Sequence, residues 1–127
     1  MSTLEKIQNQ TPRTAAALAK SATRASDLLE LTRTEFSEIV GMSSAQVSRL
    51  WRGVPILSES KASEWERTIL FYRVYRSLTT LIQDRHQASL WLRSTNTALN
   101  GTPLQLMKSI EGLVDVVRYL DASRGNV

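Results

Sequence analysis

Apolar residues along this chain recur every three or four positions, and the runs in which they do so are closed by a small set of breakers: Gly41, Gly53 with Pro55, Gly101 with Pro103, Gly112 and Gly125. Few stretches alternate apolar and polar residues with the period of a half-buried strand, so the segments between breakers are read as helices and the fold class as all-α. The first segment, from about Thr14 to Leu31, spaces Leu18, Ala22, Ala25, Leu28 and Leu29 for one buried stripe. A second starts at Thr34, whose hydroxyl is placed to cap the first turn with Glu35 and Glu38 near the positive helix end, and it stops at Gly41. Ser43 and Ser44 supply a fresh cap for a helix through Val47, Leu50 and Trp51 that Gly53 and Pro55 end.

From Ser58 to about Asp84 the helical pattern is long, with Trp65, Ile69 and Tyr72 in one row and Leu70, Val74, Leu78, Leu81 and Ile82 in another. A helix apolar on two faces must bury both, so this one is expected to bridge the two halves of the chain and to offer a surface to a second subunit, giving a homodimer. Three shorter helices are expected around Gln87 to Leu92, Pro103 to Met107 and Leu113 to Leu120. The organisation read from this is an N-terminal unit over residues 1–57, then a linking helix and a small C-terminal helical bundle over 58–127.

Composition narrows the functional classes. A chain of 127 residues has room for one domain or two small ones sharing a core, and 42% apolar with 22% charged residues is an ordinary globular balance. With no cysteine there are no disulfides, thiolate metal sites or cysteine nucleophile, which fits a cytoplasmic location. Neither a secretory leader nor a run of about 18 apolar residues that could span a membrane is read in the sequence. A net charge of +4 favours an anionic partner without identifying one; residues 1–53 hold seven Lys/Arg against five Asp/Glu, so the excess is not packed into a tail.

A nucleic-acid reading rests instead on spacing. Taking Arg33 to Arg52 as a twenty-residue helix-turn-helix puts Phe36, Val40, Val47 and Leu50 at the inward positions, Gly41 at the turn and small Ser37 where the helices cross. Two helices crossing steeply require a small contact residue and a turn position that tolerates positive φ, and both are supplied. The spacing over roughly residues 17–53 resembles the Xre family of phage-repressor-like regulators, with a lambda-repressor-like N-terminal fold. The resemblance implies double-stranded operator DNA as partner, with Ser43, Ser44, Ala45, Gln46, Ser48 and Arg49 in the base- and phosphate-facing slots. Gln46 suits an adenine edge, Arg49 a guanine or a phosphate, the serines phosphate oxygens, and Arg33 and Arg52 are expected to grip the DNA backbone. Trp51, beside Leu50 at the helix end, is assigned to the core. The competing reading is a plain helical hairpin with surface serines.

The C-terminal half carries Leu90-Trp91-Leu92, Asn96, Ala98-Leu99, Gly101, Pro103-Leu104, Leu106-Met107, Gly112, Val116 and Leu120. As a folding unit this is self-consistent: Trp91 and Leu92 anchor it, Gly101 permits a sharp turn and Pro103 opens the next helix with preset φ. The order over about residues 87–127 also resembles the toxin-binding domain of Xre/MbcA/ParS-type antitoxins. That resemblance implies a dimeric antitoxin that represses its own operon through the N-terminal half and blocks a toxin, of an NAD-consuming or ADP-ribosylating kind, with the C-terminal half. Two departures are visible: a short interval from Gly101 to Pro103, and a tail, residues 121–127, without an arginine-isoleucine pair before its glycine. A relative without a toxin neighbour would act as a free-standing regulator, for instance of motility or biofilm genes; a protein-interaction module without DNA affinity is the third reading.

No catalytic constellation stands out. His86 lies among Asp84, Arg85 and Gln87 without a second histidine at ligand spacing, and Glu111 with Asp115 reads as a solvated helix face. Neither enzyme activity, metal nor cofactor is expected.

Overall fold

The computed structural model describes residues 12–125, which form seven helices and no strand. They are α1 (Ala15–Leu28), α2 (Arg33–Val40), α3 (Ser44–Trp51), α4 (Ala62–Leu81), α5 (Arg85–Arg93), α6 (Pro103–Leu106) and α7 (Ile110–Ser123). Among the described residues no helix is long and apolar enough to cross a membrane.

Local chemistry sets the N-terminal boundaries. Thr14 caps α1 through its hydroxyl, and Leu18, Ala22 and Ala25 form the buried stripe. After Leu28 the chain turns through Glu30 at φ 60°, short of the expected end at Leu31. The cap of α2 is Thr32 rather than Thr34: its hydroxyl accepts from the Glu35 amide while the Glu35 carboxylate accepts from the Thr32 amide. This reciprocal pair satisfies two otherwise unpaired amides, and only a threonine three residues before the glutamate can form it. Ser43 and Gln46 build the same box at the start of α3.

Gly41 ends α2 in the left-handed region at φ 75°, where a side chain would be strained although the nearest heavy atom, on Arg67, leaves room for one. The Ser37 hydroxyl donates to the Met42 carbonyl and so closes the turn from inside. Phe36, Val40, Val47 and Leu50 are all buried, as the inward slots require.

The long helix spans 62–81, shorter at both ends than its hydrophobic pattern predicts. Its N-cap is Lys61, whose side chain has no acceptor, so the first turn has no side-chain cap; Ser58 and Ser60 bond each other in the preceding turn. Leu70, Phe71, Val74 and Leu78 are buried, whereas Leu81, assigned to the buried row, is 40% exposed. The helix packs against α1 and α2 on one side and against α5 and α7 on another, and all the buried apolar residues belong to one continuous core. Each such side chain contributes roughly 1.5–3 kcal/mol by leaving water.

In the C-terminal half, α7 lies along α4 and buries Leu113, Val116, Val117 and Leu120. Ser77 of α4, itself buried, donates to Asp121 of α7 and accepts from Arg124. Between α5 and α6 the chain reverses through a hairpin-like turn in which Asn96 and Gly101 exchange backbone hydrogen bonds. The residue in the left-handed region there is Asn100, at φ 60°, not Gly101, because an asparagine tolerates that backbone.

Candidate nucleic-acid interface

Helix α3 buries Val47 and Leu50 and turns Ser44, Ala45, Ser48 and Arg49 outward. These four, at spacings of one, four and five residues, share one helical face, and Arg52 extends it by a turn. Ser43, Arg33 and Arg52 are exposed as well. Arg33 comes from the start of α2, so the structure brings the two basic residues flanking the motif and the serine face of α3 onto one side of the molecule. A shallow cleft of about 180 Å³ separates the two helices there and is lined by Arg33, Thr34, Ser37, Ser44, Val47 and Ser48.

Two of the expected contact residues have intramolecular duties. The Ser43 hydroxyl accepts the Gln46 amide, and Gln46 is half-buried, its Oε1 accepting from the Ser43 amide at 2.8 Å and its Nε2 donating to Glu64 of α4 at 3.3 Å. These bonds use one N–H and one lone pair of the Gln46 amide, leaving one of each for a base edge. Glu64 lies 18 residues away on another helix, and no local pattern flags it. Thr34, expected as a helix cap, instead stands exposed and lines the cleft.

Trp51 is half-buried. It meets Phe36 edge-to-face at 4.8 Å, and its indole N–H donates to Asp27 at 3.4 Å. The guanidinium of Arg33 sits 4.3 Å from the centre of its ring.

The back of the motif is tied to the C-terminal half. Arg93 at the end of α5 forms a fork to Glu35 of α2, at 2.7 and 2.8 Å, and donates to the Glu30 carbonyl at 3.1 Å. At the other end of α2, Lys108 pairs with Glu38 at 2.9 Å, and the Lys108 carbonyl accepts from Arg67. Hydrogen bonding from Arg93 holds the Glu35 carboxyl well below its usual value near 4.5, at about 2, against an opposing effect of burial. A folded-state value below the unfolded one means the pair stabilises fully above about pH 5 and is lost as pH falls from there through about 2. Glu35→Gln keeps the capping box and removes the charge. It is expected to lower stability at pH 7 by about 1 to 2 kcal/mol, solvent screening included, and to match the wild type near pH 2, as read from urea midpoints across pH.

His86 is exposed, with Nδ1 3.5 Å from Glu30. Among the described residues no three His, Asp or Glu side chains are grouped to hold a metal ion. In the C-terminal half Trp91 stacks on Tyr119 at 6.2 Å, and Leu90 on α5 is 43% exposed.

Comparison with known families bears on both halves. The model of the antitoxin Xre-like helix-turn-helix domain matches residues 9–73. The chain belongs to this family. A second model, of the antitoxin Xre/MbcA/ParS C-terminal toxin-binding domain, matches residues 77–125. No curated protein matches the chain. An Xre-like antitoxin of this build belongs to a regulatory kind of protein rather than an enzymatic one. One matched region ends and the other begins within α4, so the helix that closes the helix-turn-helix core also opens the C-terminal match.

Proposed function

We propose that this chain is the antitoxin of a toxin–antitoxin pair and represses its own operon, laying the outward face of α3 in the DNA major groove. Ser44, Ala45, Ser48 and Arg49 meet base edges and nearby phosphates, Ser43 and Gln46 act at the start of the helix, and Arg33 and Arg52 hold the DNA backbone on either side. The observation that carries this reading is the division of labour within α3: every apolar residue the motif needs is buried, while the face left over is small, polar and basic. A small side chain lets the helix backbone approach the groove, and an exposed arginine can reach guanine or a phosphate bidentately. The protein acts as a homodimer in the cytoplasm, matching the two-fold symmetry of most operators.

The test is binding to the duplex upstream of its own reading frame at several salt concentrations. Affinity should fall steeply with salt, and Arg49→Ala should cost about 1 to 3 kcal/mol with relaxed preference at one base position. Salt-independent or absent binding would overturn the repressor reading and leave a protein-interaction module. Co-purification with the product of the neighbouring reading frame tests the antitoxin half of the proposal, and its failure beside intact DNA binding would leave a free-standing regulator. Light scattering that finds only monomer at micromolar concentration would remove the dimer.

A further inference from the structure

Arg33 is exposed, and among the described residues its guanidinium has neither a carboxylate partner nor a hydrogen bond; its one defined contact is the face of Trp51. That contact is unlike an ion pair in what it leaves available. A guanidinium carries five N–H donors, and none of those of Arg33 is committed to a hydrogen bond or an ion pair among the described residues. Arg33 is therefore held beside Trp51 with its donors available to an incoming acceptor.

The ring that holds it is itself fixed from two other directions. Phe36 packs its edge against Trp51 at 4.8 Å and 88°, and Phe36 in turn meets Phe71 of α4 at 5.5 Å and 90°. The indole N–H is anchored on Asp27 near the end of α1. Trp51 thus joins the buried aromatic pair to a surface arginine that also lines the cleft with Thr34, Ser37, Ser44 and Ser48. A long arginine on an open surface would otherwise sample many rotamers, and ordering it on binding would cost affinity.

The geometry points to Trp51 as a positioning residue for DNA binding: it pre-orders Arg33 to meet a backbone phosphate flanking the α3 face. This rests on the DNA-binding reading proposed above. It assigns Trp51 a role in affinity that its place at the edge of the core does not by itself require. Because the contact is to a phosphate, it operates on any sequence, and the test does not need the operator.

The experiment is a double-mutant cycle with Arg33→Ala and Trp51→Leu, read as affinity and salt slope on a mixed-sequence duplex of about 30 base pairs. Arg33→Ala is expected to flatten the salt slope by about one phosphate's worth, and Trp51→Leu to weaken binding about 3- to 10-fold with Arg33 present and not at all in the Arg33→Ala background. Should Trp51→Leu fail to fold, Trp51→Phe takes its place in the cycle, expected to weaken binding about 2-fold and only where Arg33 is present. Equal proportional losses with and without Arg33, or an Arg33→Ala salt slope equal to that of the wild type, would overturn the inference while leaving DNA binding intact. A wild-type protein without salt-dependent binding would overturn both.

Discussion

Gly112→Ala is expected to destabilise the protein by about 3 kcal/mol or more, enough to lower the melting temperature by roughly 10 °C. An alanine methyl at this position would lie 1.7 Å from the carbonyl oxygen of Leu106, far inside contact distance. Two effects oppose each other. Alanine is the better helix former by about 1 kcal/mol, and Gly112 sits within the first turn of α7. The clash, however, is with backbone: no rotamer change relieves it, and α6 must move away from α7 as a unit. Steric overlap therefore outweighs the helix preference, and the substitution destabilises. A thermal melt within a degree or two of wild type would show that the two helices separate without cost.

Phe36→Ala is expected to cost about 3 to 5 kcal/mol and to do so across the whole chain in one transition. The side chain is fully buried, and it contacts Trp51 of α3 and Phe71 of α4, so removing it opens a cavity where α2, α3 and α4 meet. Each edge-to-face pair adds about 0.5 to 1.5 kcal/mol beyond simple burial. Urea unfolding followed by tryptophan fluorescence and by far-ultraviolet circular dichroism should give coincident curves, both displaced to lower urea. Two separated transitions would mean that the N- and C-terminal halves hold together independently. Phe36→Leu, which fills part of the volume but loses both aromatic pairs, should cost about 1 to 3 kcal/mol, less than Phe36→Ala.

How far the sequence discloses this molecule varies with the range of the interaction. The inward residues of the helix-turn-helix and the role of Gly41 are legible because a few local spacings determine them. Thr32 is legible in principle too: it stands three residues before Glu35, the spacing of a reciprocal cap, whereas Thr34 stands next to it. The start of α4 is not, since its first apolar anchor is Trp65 and the serines before it engage one another. Asn100 rather than Gly101 takes the left-handed backbone because a short amide side chain suffices there, and residue type alone does not separate the two. Least legible are the partners of the surface residues. Gln46 finds Glu64, and Arg93 finds Glu35 across 58 positions of chain, pairings that periodicity cannot reveal. The exposed face of α3 can be read from its spacing; the prior commitments of its residues cannot.

The continuity of α4 through both matched regions also bears on how chains of this architecture could be recombined. A crossover inside the helix would join one parent's Phe71 environment to another parent's α7 face, and the resulting hybrid would carry two half-fitted apolar surfaces on a single rod. The few outward residues of α3 could instead be exchanged without disturbing any buried contact. That surface can therefore diverge by point substitution while the core shared by the two halves, and the Arg93–Glu35 tie between them, stay as they are.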